Sequence, residues 1–184
     1  MDKSFHYMIM VNQSLFQKKV LDALSPYKLT AGQPKVLDYL GKHNGCIQKS
    51  IATGCQIEPA TLTGILSRME EKKLIIRQTK DGNKRSLYVY LTDEGKRLQE
   101  IVNDTFEKVE NEILSGISES EKEQFINIFF KICNNIYIIY KQSKSRGDGF
   151  CFNYIINLLN KSRTRGDGFY FFKFNLQFHY PFHY

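Results

Sequence analysis

From Phe5 to Leu24 apolar residues return every three to four positions, through Phe5, Met8, Val11, Leu15, Phe16, Val20 and Leu24. That is the period of a helix with one buried face. Ser25-Pro26 ends it, because proline cannot continue the hydrogen-bond ladder. Thr30-Ala31-Gly32-Gln33 reads as the cap and first turn of a second helix, with Pro34 tolerated near its start and Val36, Leu37 and Leu40 inside it. Gly41 to Gly45 breaks the pattern. Two further helical segments follow, Ile47 to Cys55 and Glu58 to Lys73, joined by Gln56-Ile57; the second is amphipathic through Leu62, Ile65, Leu66 and Met69. Two helices on so short a connection form a helix-turn-helix candidate.

The period then changes. Leu74 to Thr79 and Leu87 to Leu91 have strand character and flank Asp81-Gly82-Asn83, a turn of the kind that closes a β-hairpin. Helical spacing resumes after Thr92, which is placed to cap, with Asp93 and Glu94 favouring the positive end of the helix. Its stripe runs through Leu98, Ile101, Val102, Thr105, Phe106, Val109 and Ile113 to a stop at Gly116. Ser118-Glu119-Ser120-Glu121 matches a capping box and opens a last helix carrying Phe125, Ile128, Phe129, Ile132, Ile136 and Ile139. The expected fold class is mainly α with a small β-hairpin wing (α+β): a winged helix-turn-helix flanked by N- and C-terminal helices.

After residue 142 the character shifts. Ser145-Arg-Gly-Asp-Gly-Phe150 recurs as Thr164-Arg-Gly-Asp-Gly-Phe169, and the remainder is aromatic. Two copies are too few for a solenoid, which needs at least about three repeats. Residues 143–184 are therefore expected to be an atypical, poorly ordered extension to a 1–142 domain whose winged-helix core spans about 28–97.

Charge gives the hairpin a purpose. The 184-residue chain has a net charge of +7, and between Lys28 and Arg97 thirteen Lys and Arg stand against seven Asp and Glu. The excess sits on the helix-turn-helix and hairpin, which suits an anionic partner such as nucleic acid. The four cysteines, Cys46, Cys55, Cys133 and Cys151, form no CxxC pair and lie at no metal-ligand spacing from a histidine. They read as reduced structural thiols of a cytoplasmic protein, with no metal and no cofactor implied. The most apolar window, Phe125 to Tyr140, is too short to span a membrane and carries Lys131, Asn134 and Asn135. No nucleophile elbow or phosphate-binding glycine pattern appears, and Glu70-Glu71 and Asp93-Glu94 are adjacent acids that face apart on a helix. They are expected to be solvated surface, and the chain is not expected to be an enzyme.

Lys28-Leu-Thr-Ala-Gly-Gln-Pro-Lys-Val-Leu37, Ile51-Ala52, Glu58-Pro-Ala-Thr-Leu-Thr63, Arg68-Met-Glu-Glu-Lys-Lys-Leu-Ile75 and Asn83-Lys-Arg-Ser-Leu-Tyr-Val-Tyr-Leu-Thr92 together resemble the multiple-antibiotic-resistance regulator (MarR) family of bacterial winged-helix transcription factors. The resemblance runs from about Phe5 to Gln142. It implies a homodimer, made by the first and last two helices, that sets two winged helices on a pseudo-palindromic operator. It also implies a sequence-specific regulator, a ligand-responsive repressor, with Glu58 to Lys73 as the recognition helix. A protein-interaction module on the same scaffold, without specific DNA binding, is the alternative.

On that helix the candidate base and backbone readers are Pro59, Ala60, Thr61, Thr63, Gly64 and Arg68, since residues near the N-terminal end enter the major groove. Gln48, Lys49 and Ser50 open the preceding helix with groups suited to phosphate. Lys84 and Arg85 lie on the wing, where a guanidinium suits the narrow minor groove. Phe5, Phe16, Tyr39 and Phe106 are candidates to line a site for a small aromatic effector. Three positions depart from the family pattern. Gly64 replaces a basic residue, and Lys73 replaces a helix-ending glycine, so a left-handed turn there would be strained. Asn83 replaces the wing aspartate that in the family pairs with the arginine at 68, and Asp81, two residues earlier, could take its place if the turn is shifted.

Overall fold

The computed structural model describes residues 3–80 and 83–143, and the side chains within them except at 83–85, 137 and 140–143. The extension with its repeated segment, and the turn residues 81 and 82, lie outside the described residues.

The chain order is α1 (Phe5–Ala23), a 3-10 turn (Ser25–Tyr27), α2 (Gln33–Lys42), β1 (Cys46–Ile47), α3 (Gln48–Cys55), α4 (Pro59–Glu71), β2 (Ile75–Lys80), β3 (Asn83–Leu91), α5 (Asp93–Ile113) and α6 (Glu119–Ser143). All the expected helices are present. The second begins later than its sequence suggests: Gly32 occupies the cap, and the Thr30 side chain makes no cap bond. The Thr30 backbone N–H instead donates to Oε1 of Gln33 at 3.0 Å, so the turn is closed from inside the helix.

A strand not foreseen, β1, joins the hairpin. The sheet order is β1-β3-β2, all antiparallel, with Cys46 opposite Val89 and Ile47 opposite Tyr88. β2 and β3 run in register from Ile75 opposite Leu91 to Thr79 opposite Leu87, then Lys80 pairs with Asn83. That shift leaves 84–86 of β3 without a partner residue on β2, a bulge at the outer end of the wing.

The core of the winged domain is built from one face of each helix. Val36, Leu37 and Leu40 of α2, Ile51 of α3, Leu62, Leu66 and Met69 of α4, and Val89 of β3 are fully buried. Leu98, Val102 and Val109 of α5 continue that core along the helix, while Ile113, at the end of the expected stripe, is exposed. The residues up to Ser115 form one compact unit, and α6 belongs to a second. The α6 N-terminus is a capping box: Ser118 N–H donates to Glu121 Oε2 at 2.9 Å, and Glu121 N–H donates to Ser118 Oγ at 3.4 Å. Along α6, Phe125, Ile128, Ile136 and Ile139 stay exposed. No helix among the described residues is long and apolar enough to cross a membrane.

Candidate nucleic-acid interface

α4 is fixed from its buried side. Leu62, Ile65, Leu66 and Met69 sink into the core, so Pro59, Ala60, Thr61, Thr63 and Arg68 are left on the exposed side. Pro59 at the first helical position adds no lost hydrogen bond, and Glu58 caps in extended conformation. Gly64 faces open space: a Cβ built there would meet only Nη1 of Arg68, at 3.7 Å. The missing side chain thus leaves backbone accessible at the centre of the exposed face.

Two of the candidates are brought into contact. Gln48 Nε2 donates to Thr63 Oγ1 at 2.8 Å, and Thr63 Oγ1 donates to the carbonyl of Pro59 at 2.9 Å. Gln48 therefore braces α3 against α4, and the Thr63 hydroxyl has already spent its proton. Thr61 keeps an exposed hydroxyl, and Lys49 at the α3 start is exposed beside half-buried Ser50. Their groups remain accessible to bases or phosphates.

The wing backbone of Lys84 and Arg85 lies in the bulged part of β3, while their side chains and that of Asn83, and so the expected pairing of position 83 with Arg68, lie outside the described residues. What ties the wing to α4 among the described residues is another pair. Arg77 on β2 donates through Nε to Glu70 Oε2 at 3.0 Å and through Nη2 to the same oxygen at 2.5 Å, and its backbone N–H donates to Oε1 at 3.2 Å. The Arg77 hydrogen bonds hold the Glu70 carboxyl below its ordinary range. Glu70 is thus a structural partner and not the solvated acid that its adjacency to Glu71 suggests. The sequence clue was only an acid and a base on either side of a helix-to-strand junction.

The junction itself is tightly closed. Lys73 is left-handed with φ 56°, so of the two expected outcomes the helix keeps the left-handed ending and the lysine bears its strain. Lys73 N–H donates to the carbonyl of Glu70 at 2.8 Å and Leu74 N–H to that of Met69 at 2.9 Å, the paired bonds that end a helix in this way. Thr92 caps α5, accepting from Gly95 N–H at 3.0 Å, and its own hydroxyl donates to the Lys73 carbonyl at 2.6 Å. Gly95 is needed because a Cβ there would overlap the carbonyl oxygen of Leu74.

The four aromatic candidates do not converge. Phe16 and Phe106 stack with ring centroids 6.3 Å apart, joining α1 to α5. Phe5 lies eleven residues before Phe16 on the same helix, about 16 Å away along the axis, and is 49% exposed. Tyr39 packs over His43 at 4.5 Å and covers Gly54, where any Cβ would strike its ring. A groove of about 770 Å³ does lie between α1 and α5, lined by Lys18, Lys19, Tyr27 and Lys108 and by the acids Asp22, Asp104 and Glu112, the last paired with Lys19 at 2.7 Å.

Burial raises the Cys46 thiol to about 11 and the Cys55 thiol to about 12, so both stay protonated near neutrality. Among the described residues no group of three or more His, Cys, Asp or Glu is placed to hold a metal ion.

Comparison with known proteins adds family to geometry. A family model described as the MarR family matches residues 29–87, from the start of the winged domain into β3. The chain is 31% identical over 140 residues to the HTH-type transcriptional repressor MdtR of Bacillus subtilis, covering 74% of this chain and 90% of that one. It is 32% identical over 126 residues to YwoH, an uncharacterized HTH-type transcriptional regulator of the same organism, covering 67% and 91%. Among solved structures, the S. aureus MepR–DNA complex is similar with a TM-score of 0.69 and 26% identity, covering 73% of this chain and 99% of that one.

Proposed function

The chain belongs to the MarR family of transcriptional regulators, and we propose that it acts as a homodimeric, ligand-responsive repressor that binds a pseudo-palindromic operator through α4 and the wing. The observation that carries this reading is the α4 face. A helix whose Leu62, Ile65, Leu66 and Met69 are locked into the core holds Thr61, Thr63 and Arg68 outward on a rigid support. In the groove, Thr61 reads base edges by hydroxyl and methyl, the backbone at Gly64 approaches closely, and Lys49, Ser50 and Arg68 meet phosphates. Lys84 and Arg85 on the bulged strand reach the flanking minor groove.

Two half-sites about 34–36 Å apart need two copies of this domain. Phe5, Met8, Met10 and Leu15 of α1 are exposed, and so are Phe125, Ile128, Ile136 and Ile139 of α6. Apolar faces of that kind support a dimer made by these helices. A small aromatic anion in the α1–α5 groove, against Tyr27, Lys18 and Lys108, would act by favouring dimers whose recognition helices no longer match the half-site spacing. A regulator of this kind works in the cytoplasm and needs no catalytic group.

The test is a binding titration against DNA flanking the chain's own gene and against random DNA, at several salt concentrations. A footprint of two half-sites, with affinity falling steeply as salt rises, is expected. Uniform, sequence-blind binding, or none, would instead favour a protein-interaction module on the same scaffold.

A further inference from the structure

Glu70 is on the last turn of α4 and Arg77 is the third residue of β2, so their contact spans the junction between recognition helix and wing. We infer that this pair sets the wing's position relative to the recognition helix, making Glu70 and Arg77 positioning residues for DNA binding that do not themselves touch DNA. The inference rests on the reading of this lobe as the DNA-binding element.

The geometry is that of a clamp. One carboxylate oxygen takes Nε and Nη2 of Arg77, while the other takes the Arg77 backbone N–H at 3.2 Å. Side chain and main chain of the same strand residue are held together, which a point contact between flexible termini cannot do. The Arg77 side chain is 19% exposed and that of Glu70 38%, so the pair is partly shielded from water. Arg77 lies opposite Val89, which is fully buried and itself opposite Cys46, so the clamp grips the middle row of the whole sheet. At the tip the sequence has a neutral Asn83 where the family pattern has an aspartate, with Asp81 two residues earlier.

The test is a double-mutant cycle on the full chain, read as operator affinity by fluorescence anisotropy with melting temperature followed in parallel. Arg85→Ala should weaken operator binding about tenfold in the wild-type background but less than about twofold in Glu70→Gln, because a wing already out of position has little to lose. Arg77→Lys keeps the charge and loses the two-point geometry, and should reproduce Glu70→Gln; it also serves as the second variant where Glu70→Gln melts early. Equal losses from Arg85→Ala in all backgrounds would overturn the inference alone, leaving the pair a fold-holding contact. No effect of Arg85→Ala on the wild type, with Thr61→Ala still harmful, would overturn both the wing contact and the inference. A wild-type chain without specific binding would remove the functional reading and this inference with it.

Discussion

The hydroxyl of Thr92 donates to the carbonyl of Lys73 at 2.6 Å, so the residue that starts α5 also seals the left-handed end of α4. One side chain thereby serves two helix termini, since the same oxygen accepts from Gly95 N–H. Thr92→Ala should cost about 1–2 kcal/mol in urea unfolding, more than a simple cap, and Thr92→Ser should recover most of it. A loss no larger for Ala than for Ser would separate the two roles and deny the second.

Lys73 invites the opposite change. A lysine at φ 56° bears a left-handed conformation that glycine adopts freely. Lys73→Gly should stabilise the chain by up to about 1 kcal/mol, with a higher melting temperature and an unchanged denaturant slope. A lower melting temperature would mean that the lysine side chain makes a contact worth more than the strain.

Gly95 has no such latitude. Adding a methyl group would drive it into the Leu74 carbonyl, and neither backbone can easily yield because both are held by the Thr92 and Leu74 hydrogen bonds. Gly95→Ala should destabilise by at least about 2 kcal/mol. Retained stability would require that α5 can slide at its start, which amide exchange at 92–96 would reveal.

The Glu70–Arg77 pair carries an acid signature. The Glu70 carboxyl titrates lower when folded than when unfolded, so its contribution is whole above the unfolded value, about 4.3, and disappears as pH falls through the folded one. Wild type should lose more stability than Glu70→Gln between pH 5 and pH 3, by under about 1 kcal/mol given its partial exposure. Parallel losses in both would assign the acid sensitivity elsewhere.

For the thiols, the raised values of Cys46 and Cys55 predict slow alkylation at pH 8 in the native chain and fast alkylation once unfolded, read residue by residue by mass spectrometry. Rapid native labelling of either would show a reactive thiolate and count against a purely structural role.

Much of this was legible in the pattern of residues, and the reasons differ by element. The helices announce themselves because Leu62, Ile65, Leu66 and Met69 repeat at the helical period, and that repeat also fixed which face of α4 stays outside. Thr92 and the Ser118–Glu121 box were readable because capping is local chemistry. β1 was not: two residues are too few to alternate, and Cys46-Ile47 becomes a strand only because β3 lies beside it. The Gln48–Thr63 bond and the Glu70–Arg77 clamp were equally hidden, as each joins residues on different elements whose approach depends on the packed core. Of the aromatic candidates only Phe16 and Phe106 are brought together, since Phe5 lies further along α1 and Tyr39 is occupied by its packing over Gly54.

The little strand β1 has a mechanical meaning. Its last residue, Ile47, directly precedes Gln48, so the ladder to β3 ties the root of α3 to the strand that bears the wing. Add Gln48 on Thr63 and Glu70 on Arg77, and α3, α4 and the wing become three prongs of a single rigid plug. The ties resist movement of α3, α4 and the described part of the wing relative to one another. In the proposed dimer, a change in the spacing of two such lobes would then be a turning of each lobe as a whole.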